Sequence, residues 1–158
     1  MTSCEKVRTA LAHRDGPVPL DLGGGPTTGI HCSVVETLRE YYGLLKHPVT
    51  VSEPYQMLGE IEDDLKDAMG VDTVPLWNPY TMFGFRNEDW KEFRTPWGQI
   101  VLVPGRFEYD RLDNGDVLLY PRGNREVPPS GRMPASSFFF DAIVRQEEID
   151  EGALDPAD

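Results

Sequence analysis

The sequence predicts an α/β fold of βα units joined to an antiparallel β meander, and three observations carry that prediction. Short apolar runs alternate with amphipathic helical stretches across residues 17–96, glycine or proline breaks the chain at the end of each run, and Asp113-Asn114-Gly115 sits between two β-rich segments. Alternating strand and helix favours parallel pairing, because each helix carries the chain back across the sheet. An Asp/Asn-Gly step between two strands favours a tight hairpin instead.

Composition bounds what such a fold can do. A chain of 158 residues with 39% hydrophobic content can bury one core. Fifteen Lys and Arg against 27 Asp and Glu give a formal net charge of -12, which repels phosphate backbones and anionic lipid surfaces alike. Nucleic acid and membrane are therefore excluded as expected partners. The stretch from Met1 to Ala12 carries Glu5, Lys6 and Arg8 without an apolar run, so no secretory signal is expected and the expected location is cytoplasmic. Cys4 and Cys32 are too few for a disulfide framework or a four-sulfur zinc site.

The elements follow in order. Thr2 and Glu5 fit a capping box, after which Val7, Ala10 and Leu11 share one face of a short helix ending near His13. Val18-Pro19-Leu20-Asp21-Leu22 is a strand candidate that runs into the breaker Gly23-Gly24-Gly25-Pro26. From Ile30, residues Val34, Leu38, Tyr41 or Tyr42, and Leu45 recur at helical spacing, with Gly43 placed for a left-handed C-terminal residue. Val49-Thr50-Val51 is β-branched, and beyond Glu53-Pro54 the residues Met57, Ile61, Leu65 and Ala68 or Met69 form an apolar stripe. Glu60, Glu62, Asp63 and Asp64 fall opposite that stripe and read as a solvated face.

Gly70 stops the helix, and Val71 to Leu76 supplies a third strand closing at Trp77-Asn78-Pro79-Tyr80. Ile100–Val103, Phe107–Tyr109 and Val117–Tyr120 are the strands of the meander, read as an insert over residues 97–121. Glu126 to Pro134 reads as a loop, Phe138 to Val144 as a strand or a short helix, and residues 145–158 as an acidic, linker-like end.

The ordered series Val18-Pro-Leu-Asp-Leu-Gly-Gly-Gly-Pro-Thr-Thr-Gly-Ile-His31, Glu36-Thr-Leu-Arg-Glu-Tyr-Tyr-Gly-Leu44 and Gly70-Val-Asp-Thr-Val74 resembles the N-terminal region of uroporphyrinogen decarboxylase-like proteins. Trp97-Gly98-Gln99, Asp113-Asn-Gly-Asp-Val-Leu-Leu-Tyr-Pro121 and Phe138-Phe-Phe-Asp-Ala-Ile-Val144 resemble the corrinoid methyltransferase-like branch of that superfamily. The resemblance implies that residues 1–158 form a single N-terminal segment of a (β/α)₈ TIM-type barrel, a fold of typically about 250 residues. It implies a contribution to a corrinoid-dependent methyl-transfer site that is not active alone, with cobalamin and zinc bound only by a full-length protein.

The partners implied are the missing C-terminal barrel half, a second chain or a further copy, and a corrinoid protein. A His-x-Cys zinc pattern is not matched, since His31 and Cys32 are adjacent. Gly23-Gly24-Gly25-Pro26 stands where true porphyrinogen decarboxylases carry an arginine-rich clamp, which weakens the carboxy-lyase alternative. A non-catalytic half-barrel module for binding or assembly is the other alternative.

Strand C-terminal ends face the active site of such a barrel, which singles out Asp21, Glu53 and Asn78. Asp21 capping the glycine turn and Asn78 opening a turn before Pro79 are the structural readings of the same residues. His31, after the glycine loop at a helix start, is placed to meet an anion or hand over a proton near neutral pH. Trp77, Tyr80, Phe83 and Phe85 offer aromatic surface for a planar ligand, or core packing. No residue is assigned a catalytic or metal-binding role. The glycine triplet lacks the spacing of a phosphate loop.

Overall fold

The computed structural model describes residues 1–23, 25–76 and 78–143. Helix α1 spans Ser3–Leu11 and begins with the anticipated capping box, Thr2 Oγ1 accepting from the Glu5 amide and Glu5 Oε2 accepting from the Thr2 amide. None of its residues is buried, and it is tethered through Lys6 Nζ, 2.8 Å from Asp72 Oδ1. Helix α2, Cys32–Tyr41, presents Cys32, Val35 and Arg39 to the interior. Strand β1, Val49–Glu53, turns back on β2, Leu58–Gly59, before helix α3, Asp63–Met69.

Strands β3, Lys91–Arg94, and β4, Ile100–Val103, complete a first sheet of order β2-β1-β4-β3. Among the described residues its only parallel pairing joins β1 to β4, Val49 opposite Val101. Strands β5 (Tyr109–Arg111), β6 (Val117–Leu119), β7 (Gly131–Met133) and β8 (Asp141–Ala142) form a second, wholly antiparallel sheet in sequential order. The β5–β6 hairpin turns at Asp113-Asn114-Gly115, where Gly115 takes a φ of 88° that a side chain would resist.

The expected barrel segment is therefore overturned: the described residues form three α-helices and two four-stranded sheets, and no run of parallel βα units forms among them. Segments 18–22 and 71–76 do not form strands. They share one backbone hydrogen bond, from the Asp72 amide to Leu20 O at 2.8 Å, and Val18, Val74 and Leu76 stand 87%, 77% and 97% exposed. A ladder needs lateral partners on which β-branched side chains can pack, and here none is present among the described residues. Ile100–Val103, expected in the meander, pairs instead with β1 and β3.

Two helix readings also shift. After β1 the chain makes a hairpin, so Met57 and Ile61 enter the core from a turn and the segment before α3. On α2 the buried face is one residue out of phase with expectation, leaving Val34 and Tyr41 exposed. The cause is Arg39, almost fully buried, which donates from Nη1 and Nη2 to both oxygens of Asp64, from Nη1 to Glu62, and from Nε and Nη2 to Leu45 O. Glu62 and Asp64 keep side chains 41% and 45% exposed, in line with a solvated face, and also anchor α2 through Arg39. A planar guanidinium suits such multidentate contact.

The core joining the sheets is aromatic. Phe107 lies 5.1 Å from Phe93, 5.9 Å from Phe140 and 6.2 Å from Phe85 between ring centroids. Phe83 and Phe85 belong to this cluster, which decides their role in favour of packing. Among the described residues no helix is long and apolar enough to cross a membrane.

The α1 tether is acid-labile by construction. The Lys6 ammonium, then the Leu20 amide, holds the Asp72 carboxyl down at about 2. A depressed acid lends stability that is complete above its unfolded value near 3.9 and is lost as pH falls through the folded value. Amide exchange in α1 and at Leu20 should therefore accelerate together between about pH 4 and 2. In Asp72→Asn the same fast exchange should already be present at neutral pH, and a protected helix in that variant would refute the tether.

Candidate functional site

Three of the residues singled out from sequence, Glu53, Asn78 and Tyr80, line one cavity of about 320 Å³ with Ser52, Thr81 and Asn87. The cavity lies between the end of β1 and the segment 78–87. That segment is built by short-range bonds: Asn78 Oδ1 accepts from the Tyr80 amide, Thr81 N donates to Phe85 O, and Tyr80 bridges Arg86. Asn87 Nδ2 donates to Ser52 O at 2.9 Å and moors the segment to β1. Asn78 thus opens the turn expected of it and also reaches the cavity.

The polar atoms of this cavity are unevenly satisfied. Glu53 is 7% exposed, and its oxygens accept from the amides of Tyr55 at 3.0 Å and Gln56 at 2.8 Å. Thr81 Oγ1 and Asn87 Oδ1 are buried without any hydrogen-bond partner. A buried polar atom left unpaired costs on the order of 1–3 kcal/mol, and the Thr28 and Ser130 hydroxyls, outside this cavity, are buried and unpaired in the same way. A second cavity of about 340 Å³ shares Ser52, Asn78 and Asn87 in its wall and adds Glu60 and Trp90. Burial, then the neighbouring Glu62 charge, raises the Glu60 carboxyl above the usual range.

His31 lies elsewhere, in an apolar cleft of about 660 Å³ walled by Tyr55, Leu58, Phe138 and Phe140 among others. It is the N-cap of α2: Nδ1 accepts from the Ser33 amide at 3.2 Å, which requires the ring proton on Nε2, and Nε2 donates to Phe138 O at 2.9 Å. Both nitrogens are engaged in holding the helix start, and the ring packs against Trp97 at 5.1 Å. Asp21 is in none of these cavities; its carboxylate accepts from Thr73 Oγ1 at 2.6 Å and ties segment 18–22 to 71–76. Trp77 lies outside the described residues.

The Cys32 thiol is buried, which pushes it up to about 12, and it faces Gln99 Oε1 at 3.6 Å. In the glycine loop the Gly23 amide donates to Thr28 O. Among the described residues no group of three His, Cys, Asp or Glu side chains is placed to hold a metal ion. Thr81 and Asn87 were not legible beforehand, since they sit in irregular backbone where no periodicity marks an inward side chain.

Comparison of the chain with protein-family models, with curated proteins and with solved structures finds no match.

Thr81→Val, which keeps the shape and removes the orphan hydroxyl, should stabilise the ligand-free protein by about 1 kcal/mol in urea unfolding. A loss of stability would mean that the hydroxyl has a partner within the fold.

Proposed function

We propose that the chain is a small-molecule-binding module and that its site is the polar cleft between β1 and the segment 78–87. The observation that carries this reading is a cavity of about 320 Å³ whose wall brings Ser52 and Glu53 of β1 together with Asn78, Thr81 and Asn87 of a separate stretch of chain. A few polar side chains in a cavity wall fix the orientation of a ligand in such a site.

The resemblance to uroporphyrinogen decarboxylase-like proteins extends the proposal: the chain supplies a pocket wall for corrinoid-dependent methyl transfer completed by another polypeptide segment or partner. Zinc does not fit the described residues, because no group of three His, Cys, Asp or Glu side chains among them is placed to hold a metal ion and the Cys32 thiol is buried and held protonated. Among the described residues the walls of the cleft and of its neighbouring cavity carry Glu53 and Glu60 and neither arginine nor lysine, so a porphyrinogen bearing several carboxylates is the poorer fit.

The test is a screen of small polar molecules against isotope-labelled protein by NMR. A binder should shift the Thr81 and Asn87 backbone amides and the Asn87 side-chain amide together and saturably. If no compound moves them, the cleft is not a binding site.

A second reading is favoured by the apolar side chains of Val18, Val74 and Leu76, which lie exposed on two adjacent segments. Such a strip suits pairing with another polypeptide. Sedimentation over a concentration series should reveal an associated state that Leu76→Glu dissolves; a monomer at every concentration would exclude self-pairing.

A further inference from the structure

Three successive phenylalanines meet solvent differently. Phe140 is fully buried in the core, whereas Phe138 and Phe139 stand 50% and 51% exposed. The backbone beneath them is pinned on both sides, so the rings cannot follow Phe140 inward. His31 Nε2 donates to Phe138 O at 2.9 Å, and the Phe140 amide donates to Tyr55 O at 2.8 Å. Ser137 Oγ bonds the Phe139 backbone as well. The Phe138 ring leans on Trp97, 5.3 Å between centroids, while Phe139 lies outside the core cluster.

These rings, with Tyr55 and Leu58, wall the apolar cleft of about 660 Å³, a size common among small-molecule sites. Apolar surface held open to water is unfavourable, and a contiguous patch of it marks a place where something else binds. A wall already fixed in shape spares an occupant the cost of ordering it. A stable protein interface engages roughly 20–30 residues a side, far more than wall this cleft, so the occupant is a small molecule. Charge narrows its class. Among the described residues the wall holds one carboxylate, Asp141, and neither lysine nor arginine, and His31 spends both ring nitrogens on the fold. An anion therefore finds no partner there. Gln56 and Asp141 are the exposed polar members of the wall, and each has a side-chain oxygen to accept from a hydroxyl or N–H group.

We propose that this cleft is a second ligand site, which takes an uncharged aromatic compound carrying a hydroxyl or N–H group. Its ring packs against Phe138 and Phe139, and its donor meets Gln56 or Asp141. Ring-on-ring packing adds to what apolar area alone supplies, which favours an aromatic body over a saturated one. The site shares no wall residue with the polar cleft between β1 and the segment 78–87, so neither reading depends on the other.

The experiment titrates the full chain with 2-naphthol, with its anionic counterpart 2-naphthoate and with the saturated decahydro-2-naphthol, followed by NMR. The naphthol should saturably shift the Phe138 and Phe139 amides and, through its ring current, the Leu58 methyl groups, while the Asn87 side-chain amide stays in place. The naphthoate and the saturated alcohol should each bind several-fold more weakly. Phe139→Ala should weaken the naphthol several-fold and, with that ring outside the core cluster, leave the rest of the spectrum unchanged. Phe139→Leu, which keeps apolar bulk, should weaken the naphthol and spare the saturated alcohol. Silence of the cleft signals, or affinity unchanged in Phe139→Ala, overturns the site. Equal binding of the saturated alcohol overturns the aromatic class, and equal binding of the naphthoate overturns the preference for an uncharged compound. Cleft signals that shift with protein concentration alone would mean that a second copy covers the cleft, and the proposal falls.

Discussion

The reversal of the chain between Glu53 and Met57 is the constraint on which the first sheet and the cleft both depend. The Glu53 carboxylate gathers two successive amides, Met57 takes a φ of 54°, and β2 returns along β1. A non-glycine residue in that region costs on the order of 1–3 kcal/mol, and the burial of Met57 offsets it. The reversal also seats α2: the Cys32 amide donates to Met57 O at 2.8 Å and the Gly59 amide to Ile30 O at 3.0 Å. Gly59 must be glycine for this approach, since a Cβ there would stand 2.8 Å from Val49 Cγ1. One turn therefore fixes the strand pair, the helix start and the position of a buried carboxylate.

What the sequence reveals and what it hides separates by range. The capping box at Thr2, the left-handed Gly43, the β-branched run of β1 and the hairpin at Asn114-Gly115 are legible because neighbours in sequence determine them. The parallel arrangement is not legible. Segments 18–22 and 71–76 have strand-like side chains, yet strand formation depends on what lies beside them, and the described fold leaves Val18 and Leu76 outward. Likewise β3 reads Lys-Glu-Phe-Arg, with Phe93 its only strong apolar residue, and is a strand because β4 is present to pair with it.

The candidate site divides in the same manner. Glu53, Asn78 and Tyr80 could be singled out because each stands near the end of an apolar run, and the fold brings them to one cavity although the barrel that motivated them does not form. Thr81 and Asn87 gain their meaning only from enclosure, since a threonine and an asparagine in a loop have no pattern to betray them. Arg39 is the converse case. On a helix of alternating character it reads as solvent-facing, but two acidic side chains of another element and one carbonyl draw it inward.

The parallel contact between Val49 and Val101 has a kinetic meaning as well as a static one. It joins positions some fifty residues apart, whereas β5 and β6 close across a tight turn. Chain-closure entropy grows with the length enclosed, so the second sheet can form early from local hairpins while the first must await the meeting of distant segments. Glu53 and Ser52 sit at the end of β1, and Asn87 lies within the long excursion that leads to β4. The cleft is consequently a late product of folding: its walls do not exist as a pair until the slowest association in the molecule is complete.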